Sequence, residues 1–273
     1  MNVGTPMKQH VSVFILMLQS IRNKLLPILG AVIAADCIMF TLTARKYLWM
    51  EDIIWKGRIS LIFCAALFAL SYVLSTSMAG TSRQSYTLQR LALPGRTVFC
   101  IQTLVNLTVL LLLWAVQLMT ILLLCKIYLT RQLASADHSL DFCEQSVFLV
   151  FYRSRFLRNL FPMESIIRWM GNLSLFVLLA VFSAKAACRQ QSSRKIQIEP
   201  LLIAAIIGMG SLNEIEIGYS DLSLPVFSVA WILIIWRTLS KDDPYMDQDS
   251  TINTGYDKPE DPAATPEELE VMK

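Results

Sequence analysis

The chain has 273 residues, of which 55% are hydrophobic and only 16% charged, with a formal net charge of +3. A water-facing globular surface takes roughly 25% charged residues, so these charges are too few to cover a soluble domain. The charge is also divided: residues 1–240 carry a net +10 and residues 241–273 a net −7, so the basic part is the apolar part, which points to lipid headgroups and span orientation rather than to nucleic acid.

Residues 1–24 place Val11, Phe14, Ile15, Leu18 and Ile21 at helical spacing, with Gln19, Arg22 and Lys24 elsewhere. This pattern predicts a helix lying in the membrane interface or an extension of the first span. The first span is expected at Leu25–Thr43, with Pro27 near its start and Asp36 inside it. The apolar run continues past Cys37 and is read as a retained span, not a cleaved signal peptide. Residues 44–58 mix Tyr47, Trp49 and Trp55 with charges, the composition of a membrane–water boundary.

Ile59–Ala79 is 21 residues without a charge and Thr97–Cys125 is 29. A helix crossing the ~30 Å hydrocarbon layer needs about 20 such residues, and its backbone amides must be satisfied within the segment. Residues 126–165 form the longest connection, with an aromatic stretch at 148–161 that suits a short amphipathic interfacial helix. A further span is expected at Ile166–Cys188. The two remaining runs, Pro200–Leu212 and Leu222–Leu239, are short, and Pro225 interrupts the second. They are either full spans or a re-entrant pair. The acidic tail from Lys241 holds four Pro and no apolar periodicity and is expected to be disordered.

The fold class expected is therefore an all-α polytopic membrane bundle. It has six spans, or four plus a re-entrant hairpin, over residues 1–240, followed by a cytoplasmic tail over 241–273. Loops 1–24, 80–96 and 189–199 each carry three basic residues and loop 212–222 carries none, which favours cytoplasmic termini; loop 44–58, with four, opposes this.

The polar residues inside the spans are the ones that could carry chemistry. Asp36 costs ~2.5–3.5 kcal/mol at bilayer depth and should face the bundle interior. It is either a proton or substrate site or a hydrogen-bonded carboxyl that helps helices associate. Gln102, Asn106 and Gln117 fall on one stripe of the third span, which suggests an interhelical hydrogen-bonded seam or a polar path. Lys185 lies near a span end, where its ammonium can reach headgroups. The six Cys (Cys37, Cys64, Cys100, Cys125, Cys143 and Cys188) form no C-x-x-C pair, and His10 and His138 are the two His. No disulfide framework, metal centre or other cofactor is expected. Walker A, H-E-x-x-H and G-x-S-x-G motifs are missing from the sequence, and Asp137, His138 and Ser139 are neighbours in sequence, which does not make a triad. The chain is read as non-enzymatic.

The loop at 80–96 leads from the second span into the third through Thr87-Leu-Gln-Arg-Leu-Ala-Leu-Pro-Gly-Arg96. Leu88, Leu91, Leu93, Pro94 and, one residue early, Arg96 resemble the cytoplasmic loop of ATP-binding-cassette permease subunits of the type-2 exporter class. The resemblance implies a coupling helix that docks on a separate ATP-binding-cassette ATPase subunit, with Arg83, Arg90 and Arg96 setting orientation beside the leucines. It further implies a homo- or heterodimeric permease of six spans with internal termini. A basic loop contacting anionic lipid is the plainer reading. The expectation is a membrane permease in a bacterial inner membrane, with no nucleic-acid partner. Two alternatives remain: a non-transporting scaffold that uses the acidic tail and the 148–161 segment, and a proton-coupled carrier that uses Asp36.

Overall fold

The computed structural model describes residues 5–47, 49–76, 95–134, 146–162, 166–192, 198–212, 226, 228–235 and 237. Every regular element among them is an α-helix. They are α1 (Thr5–Ala44), α2 (Met50–Lys56), α3 (Ile59–Ser75), α4 (Gly95–Ala134), α5 (Ser146–Arg153), α6 (Arg155–Leu160), α7 (Ile166–Ser192) and α8 (Glu199–Leu212). Residues 228–235 are helical as well.

Three helices hold segments long and apolar enough to cross a membrane: Ile21–Ala44, Arg96–Gln132 and Ile166–Cys188. This is consistent with an integral membrane protein. Six spans were expected; three helices among the described residues are long and apolar enough to be spans. Ile59–Ser75 is apolar but has 17 residues, about 26 Å of helix, shorter than the expected run to Ala79. At 14 residues, α8 is shorter still.

The amino-terminal segment is not a separate interfacial helix. It continues into the first span as one 40-residue helix, about 60 Å long. One core-facing stripe runs through Val13, Met17, Ile21, Leu25, Leu29, Val32, Asp36, Phe40 and Thr43, all buried. The steps of three and four residues keep these positions on one face. Pro27 lies within the helix. It leaves the Asn23 carbonyl without its helical donor, and Asn23 sits in an exposed polar turn between Arg22 and Lys24, where that carbonyl can be solvated.

Side-chain contacts fix the directions of the helices. Asn106 of α4 meets Ala180 of α7, and Trp114 meets Phe176, so the two helices run antiparallel. Phe40 of α1 stacks edge-on with Tyr128 of α4 at 6.1 Å, and both lie toward the carboxyl ends of their helices. The α3 helix packs against α1, α7 and α8 and forms the middle of the bundle. Its Ser71 and Ser75 hydroxyls donate to the carbonyls of Leu67 and Ser71 at 2.7 Å, so neither needs a partner on another helix.

One end of the bundle therefore collects the carboxyl ends of α1 and α4, the starts of α3 and α7, and the short helices α2, α5 and α6. The expected single amphipathic helix at 148–161 is instead two pieces, broken at the extended backbone of Ser154. The second piece is packed inward: Phe156 meets Phe63 of α3 at 6.2 Å, and Phe161 meets Trp114 at 6.2 Å. The aromatic content that suggested an interface serves helix packing. Lipid supplies no hydrophobic drive to bring helices together, so van der Waals contact and a few hydrogen bonds hold such a bundle.

Candidate functional site

Among the residues of the expected docking loop, Arg83, Leu88, Arg90, Leu91, Leu93 and Pro94 lie outside the described residues. Arg96 is described: it is exposed and sits in the first turn of α4. The acidic tail lies outside the described residues too.

The four intramembrane polar residues are all placed, and all are buried to within 1% of full occlusion. They do not form one continuous path. Gln102 and Asn106, one turn apart on α4, pair directly, the Gln102 Nε2–H donating to Asn106 Oδ1 at 3.0 Å. The Asn106 amide then donates to the Ala180 carbonyl at 3.4 Å. This joins α4 to α7, and Ala180, with Ala184 and Ala187 one turn apart beyond it, is fully occluded. Small residues let the backbones approach closely enough for an amide to reach a carbonyl.

Gln117 belongs to a different place. It turns toward α1, where its amide is directed at the Asp36 carboxyl. The two do not reach hydrogen-bond geometry: both carboxyl oxygens of Asp36 and both amide atoms of Gln117 are buried without a partner. A buried polar group left in this state costs about 1–3 kcal/mol. Asp36 occupies a position of the α1 core stripe where every neighbour on the stripe from Val13 to Phe40 is apolar, so its presence there is not a packing choice. Between the two polar pairs, α4 turns Val109, Leu110 and Leu113 inward, all fully or almost fully buried. Eleven residues separate Asn106 from Gln117, about 16 Å of helix.

Three further polar contacts were not anticipated from the sequence. The Trp114 indole N–H donates to the Leu160 carbonyl at 3.1 Å. Asn172 donates to the Asn159 carbonyl at 2.7 Å. Ser228 donates to Ser174 at 2.8 Å, tying residues 228–235 to α7. Nothing in residue spacing signals pairs so far apart in the chain. Lys185 pairs with Glu199 at 3.4 Å, linking the end of α7 to the start of α8.

Among the described residues no group of three or more His, Cys, Asp or Glu could hold a metal ion. Cys64 and Cys125 are buried, and neither they nor Cys37, Cys100 and Cys188 form a disulfide. The chain matches no protein-family model, no curated protein and no solved structure.

Proposed function

We propose that the chain is the membrane-spanning permease subunit of an ATP-driven exporter of the ATP-binding-cassette type-2 class. Its ATPase subunits would be separate chains, and the permease would work as a homo- or heterodimer. In this reading α1, α3, α4 and α7 span the membrane, α8 and the run at 222–239 complete six spans, and both termini face the cytoplasm of a bacterial inner membrane.

The observation that carries this reading is the continuity between the 80–96 loop and α4. The helix begins at Gly95, so the end of the loop is already its first turn. A displacement imposed on Leu88–Pro94 by a partner is delivered to a rod about 60 Å long. That rod carries Gln102, Asn106 and Gln117 and packs on both α1 and α7. A protein without a nucleotide site of its own needs such a rigid member to convert a partner's domain motion into a change of access.

The test is purification of the full-length, tagged chain from its native membrane. The expected result is a Walker-A ATPase in stoichiometric amount, lost on Arg90→Glu with Leu91→Asp while the permease remains in the membrane at its usual level. A chain that purifies without any ATPase, or a double variant that keeps one, overturns the reading.

A further inference from the structure

The Asp36–Gln117 pair has no role in ATPase docking, and its chemistry is specific. The two carboxyl oxygens of Asp36 and the amide oxygen and nitrogen of Gln117 come together at the α1–α4 seam, and none of these four atoms has a hydrogen-bond partner among the described residues. Nor do the described residues of these helices place a compensating charge beside it. From Leu25 to Ala44, Asp36 is the one charged residue of α1; α3 has none, and α4 has none from Thr97 to Cys125. Arg45 and Lys126, the nearest cations along α1 and α4, are nine residues from Asp36 and Gln117. That is about 13 Å of helix in each case, and both side chains are exposed.

Lys8, His10, Arg22 and Lys24 of α1 all lie twelve or more residues before Asp36, and Arg96 and Arg131 of α4 lie fourteen or more residues from Gln117. Cys37 adjoins Asp36 in α1. Cys64 and Tyr72 lie on α3, and Cys100, Cys125 and Tyr128 on α4. None of these Cys and Tyr side chains carries a positive charge. Glu51, Asp52 and Lys56 belong to α2, which begins six residues beyond the end of α1.

A bare carboxylate in such surroundings is too costly to persist, so it must be neutralised from outside the chain. One negative charge calls for one positive charge. A divalent ion would leave the seam with an uncompensated positive charge, and no group of three or more His, Cys, Asp or Glu is found among the described residues to offset it. We infer that Asp36 and Gln117 together hold a single monovalent cation, a proton or an alkali ion, in the α1–α4 seam. A proton on Asp36 donates to the amide oxygen of Gln117. An alkali ion is ligated by the same oxygen and by the carboxylate. Asp36 is eight residues from the end of α1, about 12 Å, so the route to water is short on the side of α2, α5 and α6. The site stands independently of the ATPase reading, because a permease, a scaffold or a carrier could each contain it.

The experiment uses the full chain in lipid nanodiscs and dicyclohexylcarbodiimide, an apolar reagent for membrane-embedded carboxyl groups. Adduct formation is followed on the tryptic peptide 25–45, in which Asp36 is the one side-chain carboxyl. Labelling is measured across a pH series without sodium, and at fixed pH against NaCl with choline chloride as control. The expected result is an adduct that Asp36→Asn removes. Labelling that falls with rising pH and ignores sodium identifies the proton; labelling that NaCl suppresses and choline chloride does not identifies the alkali ion. In either arm Gln117→Leu is expected to displace the midpoint by about tenfold in cation concentration, or about one pH unit. If that variant does not accumulate, Gln117→Asn, which retracts the same amide by one methylene, is read in the same way. No adduct under any condition, an adduct that responds to neither cation, or an unchanged midpoint in the Gln117 variants overturns the proposal.

Discussion

The Nε1–H of Trp114 donates to the carbonyl of Leu160 at 3.1 Å, fastening the middle of α4 to the last residue of α6. The same ring lies against Phe161 and Phe176. Trp114→Phe keeps most of the ring contact and removes the hydrogen bond, with an expected loss of about 1 kcal/mol. Trp114→Ala also opens a cavity and is expected to cost about 3–5 kcal/mol. Thermal unfolding in detergent, read by a thiol dye that reports exposure of Cys64 and Cys125, separates the two.

The Gln102–Asn106–Ala180 chain predicts non-additivity. Asn106→Leu removes the acceptor of the Gln102 amide and the bond to α7. Leucine at both positions leaves no amide to strand. The coupling energy expected from the double-mutant cycle is about 0.6–1.7 kcal/mol, the range for hydrogen bonds between membrane helices. Strictly additive losses would mean the two amides act separately.

The α2–α3 turn offers a pair of opposite effects. A Cβ at Gly57 would meet the Ile53 carbonyl oxygen at 2.5 Å, so Gly57→Ala must displace backbone and is expected to destabilise by about 1–3 kcal/mol. Arg58 holds a left-handed conformation at φ 50°, which costs an L-residue about 1–2 kcal/mol. Arg58→Gly is expected to raise the melting temperature slightly.

Helix directions predict sidedness. The α2 and α5 helices pack together at one end of the bundle, while Arg96 opens α4 at the other. In a chain whose six native Cys are replaced, Trp55→Cys and Tyr152→Cys should react with a membrane-impermeant maleimide from the same side of oriented vesicles. Arg96→Cys should react from the opposite side. Labelling of Trp55→Cys and Arg96→Cys from one side would contradict the directions assigned to α1 and α4.

Much of the bundle could be read from residue order because long uncharged runs have few physical outcomes. The Ile166–Cys188 segment coincides with a stretch found long and apolar enough to cross. The Thr97–Cys125 run was located, but its helix continues to Ala134, since Lys126 and Arg131 are good helix formers that end the lipid-compatible stretch without ending the helix. Pro27 lies near the start of the expected first span, yet no helix boundary falls there. One missing hydrogen bond beside an exposed polar turn did not suffice to make one. Spacing placed Gln102, Asn106 and Gln117 on one stripe and could go no further. The split between them is decided by which neighbour each meets, Ala180 of α7 or Asp36 of α1. That depends on the crossing of helices far apart in the chain. The inward packing of Phe156 and Phe161 was illegible for the same reason: aromatic residues suit a headgroup boundary and a helix seam equally well.

Val109, Leu110 and Leu113 put three buried apolar side chains between the two polar places on α4. A naked ion entering among them would lose its hydration with nothing in exchange, a penalty of tens of kcal/mol. An ion held by Asp36 and Gln117 therefore has no polar step along α4 toward Gln102 and Asn106 that avoids these three side chains.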